Sequence, residues 1–551
     1  MIAFATQPLD QLTAFHTLRQ HYAGSRQLHL RRMFSIDPMR SRRMSLHVGP
    51  ILLDYSKNRI TDQTIKLLTE LADEAQLGDW ISALFSGQYD HDNKPVTHTA
   101  LRNIDGKPVA VDGTDLMPGI EKQLNRLSEL TDQLQQGSYI TASGQQIRNV
   151  AFIDANGIPT GSKLIYRALE DQSPPTALAL HNFDCANRLG KQLDQLDPSI
   201  TLIVLNIASF GERRGKAILA QVRQWLSTAC DNVADQQQQI IVIASNSEAA
   251  QHHELSDQQL FILPGHIGSR YTLWSAAALS LILRIGTQNY RELLIGARAM
   301  DNHFSSAPFN QNMPVTLALL GIWYHNFFGA ESHVILPYDQ QLALFPDYLA
   351  EADMHSNAKS IDRQGNRVSY PTGPVLWGSS GSAGHFIQHQ LLHQSRKLIP
   401  ADFLVAMQSE HHDASLQNLI VSQALAQAEA LMRGRTFDEA LKCLRSRTPA
   451  GQQPRRVEIS RRVLRGNNPS NMLLIDRITA QSLGSLIALY EHKAFVQSVI
   501  WNLNSFENTG EHLAKKLCDQ VLQDINTPIA TTRHDGSTNT LIDYYRNSLC
   551  V

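Results

Sequence analysis

The spacing of apolar residues divides this chain into a helical beginning, a middle that alternates strands with helices, and a helical end. Helical periodicity dominates residues 1–115, for example at Asp62–Gln76. From about residue 116, short apolar runs typical of buried strands alternate with helical segments. These runs are Val150–Ile153, Ala177–Leu180, Thr201–Leu205, Gln239–Ala244, Val334–Leu336 and Val375–Trp377. Because parallel sheets covered on both faces show this pattern, the sequence predicts an α/β fold.

A helical stretch at Leu273–Ala299 and a proline-flanked linker at Pro308–Pro314 separate the strand runs into two groups. The last third shows helical patterns again, at Leu416–Arg433, Gln481–Val499 and Leu513–Leu522. We therefore expect a helical segment at 1–115, two parallel-sheet domains at 116–300 and 301–505, and a helical tail at 506–551. The polar stretch Asp353–Tyr370 is interpreted as a surface loop or hairpin.

Composition excludes several classes of protein. The 551 residues are 42% hydrophobic and carry a formal charge of −2, which disfavours nucleic acid as the main partner. The longest apolar runs, such as Ala276–Leu283, are too short to cross a bilayer. The first residues lack an export signal, and five scattered cysteines suit a reducing compartment, so we expect a cytoplasmic protein. Arginines cluster within residues 20–45, where they could bind an anion, but a solvated surface is the favoured interpretation.

The most informative stretch is Gly373–Pro400, GPVLWGSSGSAGHFIQHQLLHQSRKLIP. It predicts a buried strand, a glycine- and serine-rich turn, and a helix at Phe386–Leu392, the junction where open α/β sheets place ligands. His385, His389 and His393 fall on one face of that helix. No carboxylate follows at a metal-ligand interval, and three consecutive turns spread too far to hold one ion. We therefore expect packed histidines and neither a metal nor another cofactor.

This stretch resembles the glucose-6-phosphate isomerase family. The matching residues are Gly373, Pro374, Trp377, Gly378, Gly381, Gly384, Gln390, Leu391, His393, Gln394, Lys397 and Pro400. Further matching blocks extend the resemblance from about residue 50 to 545. They include Leu53–Ile60, Ala100–Asn103, Arg270–Ala276, Leu320–Ala330, Ile335–Gln340 and Ala488–Lys493. The resemblance implies two sugar-isomerase (SIS) domains, an active site in the cleft between them, and a homodimer.

The same resemblance places substitutions at the residues that carry the family's chemistry. The family's glutamate base falls on Ser379, and a serine cannot remove a carbon-bound proton near neutral pH without an activating base. The family's ring-opening histidine pair falls on Leu416 and Gln417. A pair does occur nearby, at His411-His412, but restoring it would require an insertion.

The two phosphate loops of the family are also altered. The first falls on Asp154–Ser162, where Asn156 and Gly157 are the remaining candidate contacts and Asp154 adds a negative charge. The serine that donates a hydroxyl there is Ile158. A loss of three or four charge-assisted hydrogen bonds, each worth about 1.5–3 kcal/mol, would be decisive for phosphate binding.

The second phosphate loop falls on Ile207–Glu212, where only Ser209 remains as a hydroxyl donor. Arg213 and Arg214 follow it and could offset the charge of Glu212 if they turned inward. We interpret them as solvent-facing helix residues.

Two cations of the family pattern are kept. Arg270 matches the arginine that stabilises the enediolate, and Lys515 matches the lysine of the C-terminal signature. Asn508 replaces the sugar-contacting glutamine and is one methylene shorter. With Ser379 and His385, these residues complete the candidate site.

Three functions fit these observations. The favoured one is a repurposed protein of this fold that binds or transforms a small ligand without a phosphomonoester. The second is a non-catalytic pseudoenzyme. The third is a genuine glucose-6-phosphate isomerase with a rebuilt site.

Overall fold

The computed structural model describes most of the chain. The described residues are 7–91, 94–154, 157–183, 188–207, 212–230, 232–244, 256, 258–263, 269–409, 413–446, 452–507, 510, 512–527 and 532–549. Within these, the side chains of residues 90–91, 94, 212–213, 269, 381–387, 512, 515 and 549 lie outside the description. The described residues form two compact units, 1–505 and 506–551.

The strands, numbered in chain order, fall into two large sheets and two short hairpins. They are β1 Ser45–Val48, β2 Ile51–Asp54, β3 Asp90–His91, β4 Lys94–Pro95, β5 Ala110–Val111, β6 Thr114–Asp115, β7 Asn149–Ile153, β8 Ala179–Phe183, β9 Thr201–Asn206, β10 Ile240–Ala244, β11 Leu260–Ile262, β12 Ser332–Pro337, β13 Val375–Gly378, β14 Ala401–Gln408 and β15 Ser470–Arg477. The smaller large sheet has the order β11-β10-β9-β7-β8 and is parallel throughout. The predicted α/β class with parallel sheets is therefore confirmed.

The second large sheet has the order β1-β2-β15-β14-β12-β13. Its β13, β12, β14 and β15 run parallel, and the hairpin of β1 and β2 adds antiparallel to β15. The hairpin lies within residues 1–115, where the sequence analysis named helices and no strand. Strands β14 and β15 were also missed, since short apolar runs between helices do not distinguish strand from helix.

The α-helices account for the remaining periodic segments. They span Thr13–Ser25, Leu30–Ile36, Arg40–Arg43, Asp62–Glu74, Leu77–Ser86, Met117–Gln135, Thr160–Ala168, Leu189–Leu193, Glu212–Leu226, Val233–Gln237, Leu279–Ser306, Met313–Ile322, Phe345–Leu349, His355–Asn357, Gly381–Gln394, Ala414–Arg433, Phe437–Arg445, Arg456–Ser460, Ala480–Ile500, His512–Ile525 and Gly536–Leu549. Among the described residues, no helix combines the length and the apolar character needed to cross a membrane.

Two long helices, Leu279–Ser306 and Ala480–Ile500, form the centre of the first unit. Every residue of the second helix except Gln481 is buried. The helices touch through small residues, because a Cβ on Gly296 would lie 1.8 Å from the carbonyl oxygen of Gln481. A Cβ on Gly484 would likewise lie 2.0 Å from the carbonyl oxygen of Leu293. Only glycine permits this close approach.

The segment interpreted as a surface loop, Asp353–Tyr370, is only partly one. Its beginning is helical and buried, and Asp353 pairs with Lys493 at 2.8 Å inside the protein. Its later part does form a hairpin-like turn, with an antiparallel bridge between Ile361 and Arg367. The first part of that interpretation was therefore wrong, because the polar residues there pair with buried groups rather than with water.

The second unit, 506–551, contains the helices His512–Ile525 and Gly536–Leu549. Within it, Asp524 is an ion-pair partner of Arg533 and of His534, the latter at 3.1 Å. These contacts link the end of the first helix to the turn that precedes the second.

Candidate functional site

The carboxyl ends of β7 and β9 meet at the point where the strand order of the parallel sheet reverses. From β7 the chain moves to β8 on one side, and β9 returns to the other side of β7. Open α/β sheets bind ligands at such a switch point. Asp154 follows β7 and Asn206 ends β9, and the amide of Asn206 donates a 2.6 Å hydrogen bond to the carboxylate of Asp154. The carboxyl group just after β7 is thus bound by a neutral amide.

A small cavity lies at this switch point. Its volume is about 30 Å³, and Asp154, Gly157, Ile158 and Asn206 are among the residues that line it. Gly157 adopts a left-handed conformation, with φ of 67°, that favours glycine. The space holds roughly one or two water molecules. Residues 155–156 and 208–211, in the loops that follow the two strands, lie outside the described residues.

The loop after β9 is described only at its ends. Ile207 is buried and packs against Gly215, where an added Cβ would lie 3.3 Å from the Ile207 side chain. The side chain of Arg214 is exposed, as the sequence predicts. Two predicted contacts, Asn156 and Ser209, lie outside the described residues.

Ser379 follows β13 and precedes the helix Gly381–Gln394. Its hydroxyl accepts a 2.7 Å hydrogen bond from the side-chain amide of Gln388, two turns into that helix. A Cβ on Gly378 would lie 2.0 Å from the carbonyl oxygen of Ile335, so glycine is required for the strand to reach its neighbour. Ser379 is half-buried and its recorded partner is a neutral amide, which cannot act as a base.

The structure describes two of the three histidine side chains on this helix. His393 lies within hydrogen-bond distance of Gln427, at 3.1 Å, and its ring centroid is 6.2 Å from that of His389. The side chain of His385 lies outside the described residues. Where side chains are described, no group of histidine, cysteine or acidic residues could hold a metal ion.

Arg270 is buried and fixed by two acceptors. One terminal nitrogen lies 3.1 Å from Nδ1 of His355, and the other donates to the backbone carbonyl of Ser505. Its Nε has no hydrogen-bond partner among the described residues, although Arg270 is only 8% exposed. A buried guanidinium with an N–H left over can donate to a carboxylate or another oxyanion.

Tyr271 and His98 stack beside Arg270. The guanidinium carbon of Arg270 lies 5.4 Å from the centre of the Tyr271 ring, and that ring stacks on His98 at 4.1 Å. Burial lowers the pKa of His98 well below its usual value, and the nearby charges of Arg102 and Arg270 lower it further. His98 is therefore neutral at neutral pH.

A buried ionic network lies next to this stack. Arg102 donates to both carboxylate oxygens of Asp301, at 2.7 and 2.8 Å, and also pairs with Glu491. His492 lies 2.7 Å from Asp301. The indole N–H of Trp274 donates a 2.9 Å hydrogen bond to Glu491. We call these five residues the buried network.

Charges in the buried network stabilise one another. Burial would raise the pKa of Asp301, but Arg102 and His492 outweigh it and the pKa is lowered. Burial raises the pKa of Glu491, and Arg102 only partly offsets that effect. Burial alone would lower the pKa of Arg102, but Asp301 and Glu491 reverse the sign. Removing one member would leave the others as uncompensated buried charges.

The remaining predicted residues cannot be placed in the site. Asn508 and the pair His411-His412 lie outside the described residues, and so does the side chain of Lys515, whose backbone is part of the helix His512–Ile525. Gln417, which a gap-free count aligns with a family histidine, is buried and donates to the backbone carbonyl of Ala406 at 2.6 Å.

Sequence reasoning missed the partners that hold the site residues: His355, Gln388 and Asn206. Gln388 lies nine residues after Ser379 on a predicted helix, so its spacing could have suggested the contact. His355 lay in the segment interpreted as a surface loop, and nothing in the local pattern pointed to Arg270, 85 residues earlier.

Comparisons with known proteins address the whole chain. Residues 54–542 match the family model described as phosphoglucose isomerase. A glucose-6-phosphate isomerase of Methylococcus capsulatus is 39% identical, covering 97% of this chain and 98% of that protein. One of Campylobacter jejuni subsp. doylei is 37% identical, covering 98% and 99%.

Solved structures agree at the level of the fold. The crystal structure of a glucose-6-phosphate isomerase from Chlamydia trachomatis superposes with a TM-score of 0.77 at 22% identity, covering 98% of this chain and all of that one. A hypothetical protein from Thermus thermophilus gives a TM-score of 0.58 at 17% identity, covering 86% and 99%. The match of the family model and the near-complete relatives show that the chain belongs to the phosphoglucose isomerase family.

Proposed function

We propose that this chain binds a small ligand without a phosphomonoester through Arg270, and that it does not interconvert hexose phosphates at an ordinary enzyme rate. The observation that supports this proposal most directly is the hydrogen bonding of Ser379. Its hydroxyl accepts a hydrogen bond from Gln388, and the amide that holds it cannot take up a proton. Aldose–ketose isomerisation moves a proton between two carbon atoms, so it needs a base that this pair does not supply.

The switch point of the parallel sheet supports the second half of the proposal. A phosphate placed beside Asp154 would meet a negative charge already bound to Asn206. At an effective dielectric constant of about 20, two like charges about 5 Å apart repel by roughly 3 kcal/mol.

Arg270 supports the ligand half of the proposal. Its buried Nε lacks a hydrogen-bond partner among the residues that the structure describes. An unsatisfied buried donor costs about 1–3 kcal/mol, and a ligand oxyanion would recover that cost. A carboxylate suits a guanidinium because its two oxygens can accept parallel hydrogen bonds.

A second candidate is glucose-6-phosphate isomerase itself, with a rebuilt site. It is favoured by the comparisons rather than by the side chains, because relatives of that name are 37–39% identical over nearly the whole chain. Arg270, which matches the family's enediolate-stabilising arginine, is also kept and buried. The third candidate is a non-catalytic member of the family with a binding or regulatory role.

An assay with fructose 6-phosphate at micromolar enzyme separates our proposal from the second candidate. Loss of a general base costs about 10²–10⁴-fold, so we expect turnover below about 0.1 s⁻¹, against roughly 10 s⁻¹ for a typical enzyme. Ser379→Glu restores a carboxylate at the matching position, and Ser380→Glu is the neighbouring control. Ordinary turnover by the unmodified chain would establish the second candidate and overturn ours.

A thermal-shift screen tests ligand binding. We expect carboxylates to stabilise the chain more than glucose 6-phosphate, and Arg270→Met to abolish the shift. The control is Arg298→Met, since Arg298 is similarly buried but pairs with Asp105 at 2.8 Å. A chain that responds to no carboxylate, sugar or amino acid would favour the non-catalytic candidate.

A further inference from the structure

Five arginines converge on one surface groove, away from the residues considered above. The groove has a volume of about 530 Å³ and is lined by Arg31, Arg32, Arg433, Arg435 and Arg465, together with His29, Ser35, Thr436, Val463 and Leu464. No acidic residue is among these lining residues. We call this surface the arginine groove. It is unusual in a chain whose formal charge is −2, because like charges gathered in one place repel.

The arginine groove joins segments that are about 400 residues apart in sequence. Arg31 and Arg32 belong to the arginine-rich stretch noted in the sequence, which was interpreted as a solvated surface. The fold sets that stretch against residues 433–436 and 463–465. The sequence alone could not reveal this convergence.

The backbone of the arginine groove is rigid where its walls meet. Arg435 and Leu464 form an antiparallel bridge. Beside it, Gly434 and Gly466 approach so closely that a Cβ on either would lie 2.6 Å or less from backbone atoms of the other segment. Asn467 then fixes the helix Leu30–Ile36 by accepting from the N–H of Leu30 at 2.9 Å and donating to the carbonyl of Leu28 at 3.0 Å.

Glu439, next to the arginine groove, positions two of its arginines. It pairs with Arg31 at 3.1 Å and with Arg433 at 3.4 Å. A backbone hydrogen bond at Thr436 and the bonds from the two arginines lower the pKa of Glu439 to about 2. Arg31 also donates to the carbonyls of Arg433 and Gly434, which bridges the two walls.

The other arginines are available to a ligand. In the described part of the chain, the guanidinium groups of Arg32 and Arg435 make no recorded hydrogen bond or ion pair, and Arg465 makes one long bond of 3.4 Å to a carbonyl. Guanidinium groups bind phosphate oxygens through parallel N–H donors. The groove is the size of a small-molecule site, and a nucleic acid duplex would need a longer basic track.

From this geometry we infer that the arginine groove is a binding site for a small ligand with a chain of two or three phosphate groups. The ligand is either an inorganic oligophosphate or the phosphate chain of a nucleotide. This site is separate from Arg270 and Ser379 and does not depend on the function proposed above.

The test is a calorimetric titration of the full-length chain with tripolyphosphate, and in parallel with ATP and with adenosine. We expect tripolyphosphate and ATP to bind and adenosine not to bind, with affinity falling as salt is raised from about 50 to about 200 mM. A tighter affinity for ATP than for tripolyphosphate would identify a nucleotide as the source. Equal affinities would identify the phosphate chain alone.

Substitutions test whether tripolyphosphate binds in the arginine groove. Arg32→Ala and Arg435→Ala should each weaken tripolyphosphate binding by about tenfold or more, because each removes a charge-assisted contact. The control is the double variant Arg19→Ala/Arg367→Ala, which removes two exposed arginines elsewhere and should bind normally. The inference is overturned if tripolyphosphate fails to bind at millimolar concentration, if the groove variants bind normally, or if duplex DNA binds the same groove more tightly.

Discussion

The buried network and the candidate site differ in the partners that bind their polar groups. In the network, Arg102, Asp301 and Glu491 are charged and fully buried, and each is compensated by an opposite charge. At the strand ends, Ser379 is bound by a neutral amide, and so is Asp154. The network lies within sequence blocks that resemble the family, whereas the strand ends hold the residues on which our proposal depends. The buried framework residues thus resemble those of the family. Such a resemblance does not determine the chemistry of the few residues at the strand ends.

The largest effect is expected from breaking the buried network. Arg102→Met would leave Asp301 and Glu491 as uncompensated buried carboxylates, and it should lower the free energy of unfolding by about 3–5 kcal/mol. Urea denaturation monitored by circular dichroism measures this loss. Arg19→Met, on an exposed helix surface, should change stability by no more than about 0.5 kcal/mol. A decrease in the free energy of unfolding of less than about 1 kcal/mol for Arg102→Met would show that the network does not stabilise the fold.

A smaller effect should appear as the pH is lowered. The pKa of His98 is well below 6.5 in the folded protein, so the unfolded chain binds more protons below pH 6.5. Stability should therefore be complete above pH 6.5 and fall as the pH drops below it, by up to about 1.4 kcal/mol per pH unit for this group. Burial lowers the pKa of His492 as well, which acts in the same direction.

Denaturation curves at about pH 7.5, 6 and 5 test this linkage. His98→Gln should flatten the decline between pH 6.5 and 5, because glutamine does not titrate. His47→Gln, an exposed substitution on β1, should leave the decline unchanged. A decline equally steep in His98→Gln would assign the pH dependence to other groups.

The smallest effect is expected at the site. Gln388→Leu removes the 2.7 Å hydrogen bond to Ser379, and it should cost about 1 kcal/mol because neither partner is charged. Gln390→Leu, on the exposed face of the same helix, is the control. A loss above about 3 kcal/mol would place the Ser379–Gln388 pair in the framework and remove the contrast between the two regions.

The sequence predicted the parallel strands and long helices well where periodicity was strong. Strand β9 and the helices Ala414–Arg433 and Ala480–Ile500 were predicted to within about two residues of their observed ends. It failed where neighbours far along the chain decide the structure, as for β1, β2, β14 and β15. Tertiary pairing, rather than local preference, sets those strands.

The candidate site, too, could be predicted only in part from the sequence. The resemblance identified Ser379 and Arg270 from local motifs, but it could not supply Gln388 or His355, because hydrogen-bond partners are fixed only by the fold. The buried polar residues Glu491 and His492 were also missed as a feature, although they stand in the block Ala488–Lys493, which was noted only for its resemblance to the family. A charged residue within an apolar run is a signal that a partner is buried nearby.

The position of the β1–β2 hairpin in the sheet affects how the chain folds during synthesis. It pairs with β15, about 420 residues later, so its outer backbone groups find no partner until most of the chain has left the ribosome. At roughly 5–20 residues per second, that wait lasts on the order of 20–80 s. During this interval an apolar strand edge is open to wrong pairing with other nascent chains. Biosynthesis, rather than the finished protein, is therefore the stage at which this architecture is most vulnerable to aggregation.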